Sequence, residues 1–150
     1  MSESSNKIHF HFLSKVSNFK NRESLKIFLE ELFYENGFEL DALNYIFCSD
    51  VYLLSYNKQY LNHSTLTDII TFELNGKDKP ILGDIYISTE RINENAKKYN
   101  STLVQELHRV IFHGALHLCG YKDKTQEQKE LMRNKEDHYL RRYFVSRETF

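Results

Sequence analysis

Residues 110–123, VIFHGALHLCGYKD, form the segment around which we expect this chain to fold. From 110 to 119 the segment has no charged side chain, and its only strongly polar side chains are those of His113 and His117. A run of this composition predicts a buried central helix. Buried imidazoles need polar partners, and this helix offers few of its own.

The two histidines are spaced to share a ligand. Positions i and i+4 lie roughly 40° apart on a helix, so both rings point at one place. Gly120 can end the helix in a left-handed turn and bring Asp123 to the same place. Two nitrogens and one oxygen leave a coordination position open, which is typical of catalytic zinc sites. The pattern predicts one metal ion per chain, held by His113, His117 and Asp123.

The spacing H-x3-H-x5-D resembles the metzincin protease pattern H-E-x-x-H-x-x-G-x-x-H, with Asp123 in the third ligand place. One departure is decisive, because Gly114 stands where the protease has its general-base Glu. Peptide cleavage would lack its proton acceptor. A metalloprotease is therefore the least favoured hypothesis.

The longer segment HGALHLCGYKDK at 113–124 is similar to the signature H-G-x-L-H-L-x-G-Y-D-H of the YbeY family, which are bacterial metal-dependent endoribonucleases. Two upstream segments resemble that family in the same order. LTDIITF at 66–72 is like its P-T-D-V-L-S-F, and LGDIYIS at 82–88 is like its L-G-D-I-x-I-S. Three ordered matches identify the chain as a member of the family.

Two departures from the family pattern change what we expect. Lys122 and Asp123 replace the usual Asp-His, so the third ligand passes from imidazole to carboxylate. Leu61 aligns with an arginine that the family commonly carries and that is thought to contact RNA phosphate. The first change keeps a metal ligand, whereas the second removes a contact to RNA.

The resemblance implies a zinc-dependent endoribonuclease specific for single strands. It further implies maturation of the 3' end of small-subunit (16S) rRNA and ribosome quality control, with rRNA and the small ribosomal subunit as partners. A metal there, zinc or another divalent ion, would polarise a phosphoryl oxygen and acidify a bound water. No side chain in the sequence is an evident general base. The alternative is a ribosome-associated maturation factor with a mainly structural metal, which the missing arginine at Leu61 favours.

Five further residues could contact the substrate or orient a metal ligand. His63 and Thr67 lie in or beside the first upstream match, and Asp68 could orient a ligand histidine or fix a loop. Lys122 and Lys124 flank the third ligand and could meet phosphates. Each has a structural alternative, since loop lysines are usually solvated and a carboxylate often caps a turn.

Several other residues are expected to be structural. His108 and His138 are predicted to lie on the surface. Asp84 is expected on an edge strand, where a metzincin-like cleft would hold an extended substrate. Cys48 and Cys119 are predicted to be reduced thiols, the second a small buried hydrophobic residue that points away from the metal.

Size and charge constrain the protein further. A chain of 150 residues with no evident linker predicts one domain over 1–150, with the first seven residues disordered. The formal charge of −1 argues against a strong nonspecific nucleic-acid binder, so RNA contact needs a local basic patch and no DNA partner is expected. The absence of a signal pattern and of a long apolar run predicts a cytoplasmic protein without membrane contact.

The pattern of the whole chain predicts an α+β domain with a mixed four-stranded sheet, its last strand antiparallel, and helices packed on it around the buried motif helix. The turn-rich segment 75–80 favours an antiparallel link between the last two strands. Thr102 with Gln105 and Thr125 with Gln128 read as capping boxes. Strands are predicted at 8–12, 43–49, 68–74 and 84–88, and helices at 21–36, 51–61, 89–99, 102–118 and 125–140.

Overall fold

The computed structural model describes residues 6–61 and 68–148, with side chains described over 6–56 and 68–145. These residues form a single α+β domain with four strands and five helices. In chain order they are β1 (Ile8–Phe12), α1 (Arg22–Glu35), β2 (Leu40–Cys48), α2 (Asp50–Leu61), β3 (Ile69–Glu73), β4 (Ile81–Ser88), α3 (Thr89–Lys98), α4 (Leu103–Leu118) and α5 (Gln126–Glu148).

The sheet has the strand order β1-β2-β4-β3 and is mixed, as predicted. Strands β1, β2 and β4 are parallel, and β3 runs antiparallel to β4. The expectation of an antiparallel last strand is wrong in one respect, because β4 is antiparallel only to β3. A short turn joins β3 to β4 and reverses the chain, so β3 is the strand that opposes the other three.

The position of Asp84 also differs from the prediction. Its strand β4 pairs with β2 on one side and β3 on the other, so it is central and not an edge strand. Asp84 lies opposite Asn44 and Phe72 in the two ladders, and its Oδ1 accepts a hydrogen bond from Asn44 Nδ2 at 3.2 Å. The edge strand beside α4 is β3 instead, because the chain inserts β4 between β2 and β3.

Helix α4 packs directly on one face of the sheet, as the apolar segment predicts. A Cβ on Gly114 would meet Ile69 at 2.9 Å and Ile85 at 3.0 Å, so only glycine lets the helix backbone come this close. The buried Tyr45 hydroxyl donates to the Ile111 carbonyl at 2.8 Å, which ties the sheet to the middle of α4. The motif helix is therefore buried at the centre of the main core.

The predicted cap at the start of α4 is confirmed in part, and the one at the start of α5 is confirmed in full. Thr102 Oγ1 accepts from the Gln105 amide at 3.0 Å, but the Gln105 side chain accepts from Ser101 Oγ at 3.3 Å, so only one half of that capping box forms. Thr125 and Gln128 form the reciprocal capping box, with two bonds of 3.1 Å. Helix α5 continues well past the predicted end at residue 140, because Tyr143 stays on its buried face.

His108 contradicts its predicted surface position, because it is only 3% exposed. Its ring stacks on Tyr143 and packs edge-on against Phe19 and Phe144, and its Nδ1 donates to the Val104 carbonyl at 2.8 Å. The α5 extension that covers it was not expected. His138 is exposed, as predicted.

Residues 1–5 of the predicted disordered segment lie outside the described residues. Lys7, which that prediction included, already joins the sheet, because its carbonyl accepts from the Leu43 amide at 2.7 Å. No helix in the described ranges is both long and apolar enough to cross a membrane.

Candidate metal centre

The C-terminal half of α4 and the loop after it bring three possible metal ligands together. Asp123 Oδ2 lies 3.3 Å from Nε2 of His113 and 3.4 Å from Nε2 of His117. The two imidazole centroids are 4.6 Å apart, as their i, i+4 spacing on one helix face requires. Within the described part of the chain, this is the one group of three or more His, Cys, Asp or Glu side chains that could hold a metal ion.

The separations fit a metal better than they fit direct hydrogen bonds. Charge-assisted N–H···O bonds are usually about 2.7–2.9 Å long, which is shorter than either distance here. Donor atoms placed tetrahedrally at the usual zinc distances lie about 3.3–3.4 Å from one another. Two imidazole nitrogens and one carboxylate oxygen are also ligands that zinc accepts. The residues present therefore fit a divalent ion.

A left-handed turn brings Asp123 back to the helix. Gly120 has φ +97°, a conformation that other residues rarely adopt. The amides of Gly120 and Tyr121 donate to the carbonyls of His117 and Leu116, at 3.0 and 3.1 Å. This pattern closes the helix with a glycine C-cap, as the sequence predicts.

Tyr121 ties the ligand loop to the rest of the domain. Its hydroxyl donates to Asn36 Oδ1 at 3.1 Å, just past the end of α1. Asn36 Nδ2 in turn donates to the hydroxyl of Tyr139 on α5 at 3.0 Å. The side chain of Asn36, itself bonded to Tyr139 of α5, therefore holds the loop that carries Asp123.

The contact between Glu136 and His113 was missed by sequence reasoning. Glu136 belongs to the charged segment RNKEDH, where a solvated helix face is the usual interpretation. It is nevertheless buried, and its Oε2 accepts from His113 Nδ1 at 2.6 Å. The signal was its spacing, because Met132, Glu136, Tyr139 and Tyr143 form one buried stripe along α5.

The two histidines have different electrostatic surroundings. Burial by itself lowers the pKa of His113, but the hydrogen bond and charge of Glu136 bring it above the ordinary value. Asp123 and Asp68 add to this rise. At His117, burial and the charge of His113 hold the pKa below its ordinary value, although Asp123 opposes the change.

The other predicted site residues fall into three groups. Asp68 lies immediately before β3, and its carbonyl accepts from the Ser88 amide at 3.0 Å. Burial raises the pKa of its carboxyl, and the charge of His113 opposes that rise. Lys122 and Lys124 are exposed on either side of Asp123. Three residues lie outside the described side chains, namely Leu61, His63 and Thr67.

The position after His113 faces the sheet. A side chain on Gly114 would enter the packed space between α4 and the isoleucines of β3 and β4. A glutamate there would have to displace core residues before it could reach the ligands. Gly114 therefore disfavours protease chemistry by its packing as well as by its lack of a carboxylate.

Cys119 behaves as predicted. It is a free, buried thiol in the main core, and Cys48 is free and buried as well. Burial, with a smaller contribution from the charge of Glu73, raises the pKa of Cys119 to about 12. It is therefore an apolar packing group.

Known proteins resemble this chain over nearly its whole length. A family model described as Endoribonuclease YbeY matches residues 6–144. The Endoribonuclease YbeY of Cytophaga hutchinsonii is 48% identical over 121 residues, covering 81% of this chain and 85% of that protein. The Endoribonuclease YbeY of Flavobacterium johnsoniae is 42% identical over 138 residues, covering 92% and 98%.

A solved structure has the same fold. The solution structure of a Thermotoga maritima protein superposes with a TM-score of 0.65 at 28% identity, covering 93% of this chain and 92% of that one. The family model spans the sheet, both histidines of α4 and the loop to Asp123. The chain therefore belongs to the Endoribonuclease YbeY family.

Proposed function

We propose that this protein is a zinc-dependent endoribonuclease that cleaves single-stranded RNA in rRNA processing, at the 3' end of small-subunit 16S rRNA. Membership of the family makes it a nuclease of the hydrolase class. The observation that carries the metal assignment is the convergence of His113, His117 and Asp123 within ligand distance. One zinc ion per chain would be held by these three side chains.

A divalent ion at this place supplies Lewis acidity toward a phosphoryl oxygen and lowers the pKa of water. The protein's part is to hold the donor atoms and to set their charge. Two neutral imidazoles and one carboxylate leave a divalent ion with a net charge of about +1, where three imidazoles would leave about +2. Asp123 therefore moderates the positive charge offered to a phosphodiester.

We propose that the Asp68 carboxyl group helps to orient the candidate metal ligands. Its charge is coupled to that of His113, and burial raises its pKa. Both properties support a role in orienting the ligand region, and so does its place immediately before β3. We expect Asp68→Asn to keep metal binding and to reduce the rate of RNA cleavage.

Contact with RNA requires local positive charge, since the whole chain has a net charge of −1. We propose that Lys122 and Lys124 meet substrate phosphates, because both are exposed beside Asp123. Their replacement by Gln should weaken binding to all sequences alike and lower its dependence on salt. Small ribosomal subunits are the proposed partner.

The test is cleavage of single-stranded RNA and of intact small subunits by zinc-loaded protein. We expect chelator-sensitive cleavage by the parent, none by His113→Ala, and parental activity from His138→Ala, whose exposed histidine lies outside the site. Binding of subunits without cleavage by the parent would favour a maturation factor with a structural metal. Chelator-sensitive hydrolysis of casein would restore the protease hypothesis.

The third ligand needs its own test. Asp123→Ala should lose most zinc binding, whereas Asp123→His should keep it because imidazole is also a ligand. Titration of zinc into both variants measures this directly. Parental affinity in the Ala variant would remove Asp123 from the metal site.

A further inference from the structure

Glu136 is a buried carboxylate with no assigned task in the proposed reaction. It lies on α5 and is 5% exposed, in a stripe whose other members are apolar or aromatic. Burying a carboxylate is costly unless its oxygens are paired with donors. Its partners therefore indicate what it does.

The two oxygens of Glu136 have different partners. Oε2 accepts from His113 Nδ1 at 2.6 Å, and Oε1 accepts from Arg109 Nη1 at 2.8 Å. The second amino group of Arg109, Nη2, donates to Asp137 Oδ1 at 2.6 Å. Arg109 lies on α4, one helical turn before His113. It therefore donates to two successive residues of α5, Glu136 and Asp137.

The short contact decides which nitrogen of His113 carries the proton. A carboxylate only accepts, so Nδ1 must be the donor. Neutral His113 then keeps a lone pair on Nε2, the atom that faces Asp123. The opposite tautomer would place a proton on Nε2, where a metal must bind.

We infer that Glu136 is a positioning residue that holds His113 in the Nδ1–H tautomer with Nε2 aimed at Asp123, and that Arg109 holds Glu136 in place. The inference rests on the metal site proposed above. A carboxylate in this relation to a ligand histidine fixes the ring orientation and strengthens nitrogen as a ligand. Loss of such a contact typically lowers metal affinity about 10–100-fold.

Glu136→Gln is the informative substitution because it keeps the shape of the side chain. Its amide has one oxygen, which can accept from Arg109 or from His113 but not serve both as the carboxylate does. When the amide nitrogen faces His113, it donates to Nδ1 and favours a proton on Nε2. The variant should therefore contain both tautomers.

The control is Asp137→Asn. Asp137 accepts a hydrogen bond from the same arginine, but its side chain is 38% exposed against 7% for that of Glu136. Asp137→Asn removes one negative charge, as Glu136→Gln does, while its amide oxygen can still accept from Arg109 Nη2. Arg109→Lys, which keeps the charge but loses the forked contact, should fall between the parent and Glu136→Gln.

Two measurements on purified full-length protein test the inference. Zinc titration should give a Kd about 10–100-fold higher for Glu136→Gln than for the parent and an unchanged Kd for Asp137→Asn. Long-range 1H–15N correlation spectra of the zinc-free proteins at alkaline pH should show only the Nδ1–H form of His113 in the parent and in Asp137→Asn. The Nε2–H form should appear in Glu136→Gln, with His138 as the reference signal.

The outcomes separate this inference from the proposed function. A parent that binds no zinc contradicts the metal site itself. A parent that binds zinc, together with a Glu136→Gln variant of equal affinity, overturns the inference alone. Reduced affinity with an unchanged tautomer of His113 also overturns it, because that result marks a general loss of packing.

Discussion

The two halves of α4 use histidine in opposite ways. In the N-terminal half, His108 is enclosed by aromatic rings and bonds to its own helix at the Val104 carbonyl. In the C-terminal half, His113 and His117 face carboxylates of a loop and of α5. The residue type is the same, and the neighbours decide whether it packs or binds. Carboxylates converge on His113 and His117, and aromatic rings surround His108.

The largest expected effect is loss of the metal from the C-terminal half. His113→Ala and His117→Ala should each bind well under one equivalent of zinc, because two remaining ligands hold the ion weakly. Elemental analysis after dialysis against zinc measures the ratio. His108→Ala should still bind one equivalent of zinc. Loss of zinc from this variant would contradict the distinction between the two halves of α4.

The next effect is on stability, and it belongs to the N-terminal half. His108→Ala should lower the free energy of unfolding by about 2–4 kcal/mol, because it leaves a cavity among Phe19, Tyr143 and Phe144. Urea unfolding measures this change. His138→Ala, at an exposed site, should stay within about 0.5 kcal/mol of the parent. A similarly small change for His108→Ala would mean that the ring contributes little to the core.

Gly120→Ala tests the end of the C-terminal half. With φ at +97°, alanine should cost about 1–2 kcal/mol of unfolding free energy. We also expect weaker zinc binding, since the turn places Asp123. Unfolding curves and zinc titration together check both effects. Weakened stability with parental zinc affinity would show that the loop finds its position without this turn.

The smallest effect is expected at the start of the N-terminal half. Thr102→Ala removes the side chain that caps α4 and should cost about 1 kcal/mol. Zinc affinity should not change, because the cap lies about five helical turns from Gly120. Urea unfolding measures the change in the free energy of unfolding, and zinc titration measures the zinc affinity. A change in zinc affinity would show that the two halves of α4 are energetically linked and would contradict the distinction between them.

The strand and helix order was predictable because local signals agree along most of the chain. Apolar runs and alternating patterns predict the four strands, and Thr102 and Thr125 cap helices where expected. The errors concern long-range relations. Insertion of β4 between β2 and β3 depends on sheet pairing, which no local pattern contains. The burial of His108 depends on the extra turns of α5.

The amino-acid sequence by itself determined the candidate ligand set, because helical geometry places His113 and His117 on one face and Gly120 permits the turn to Asp123. The family also followed from ordered motifs. Only the tertiary structure decided how His113 is oriented, because Glu136 contacts it from α5, 23 residues further along the chain. Local spacing determines what one helix presents, whereas packing between helices determines which charged groups meet inside the core.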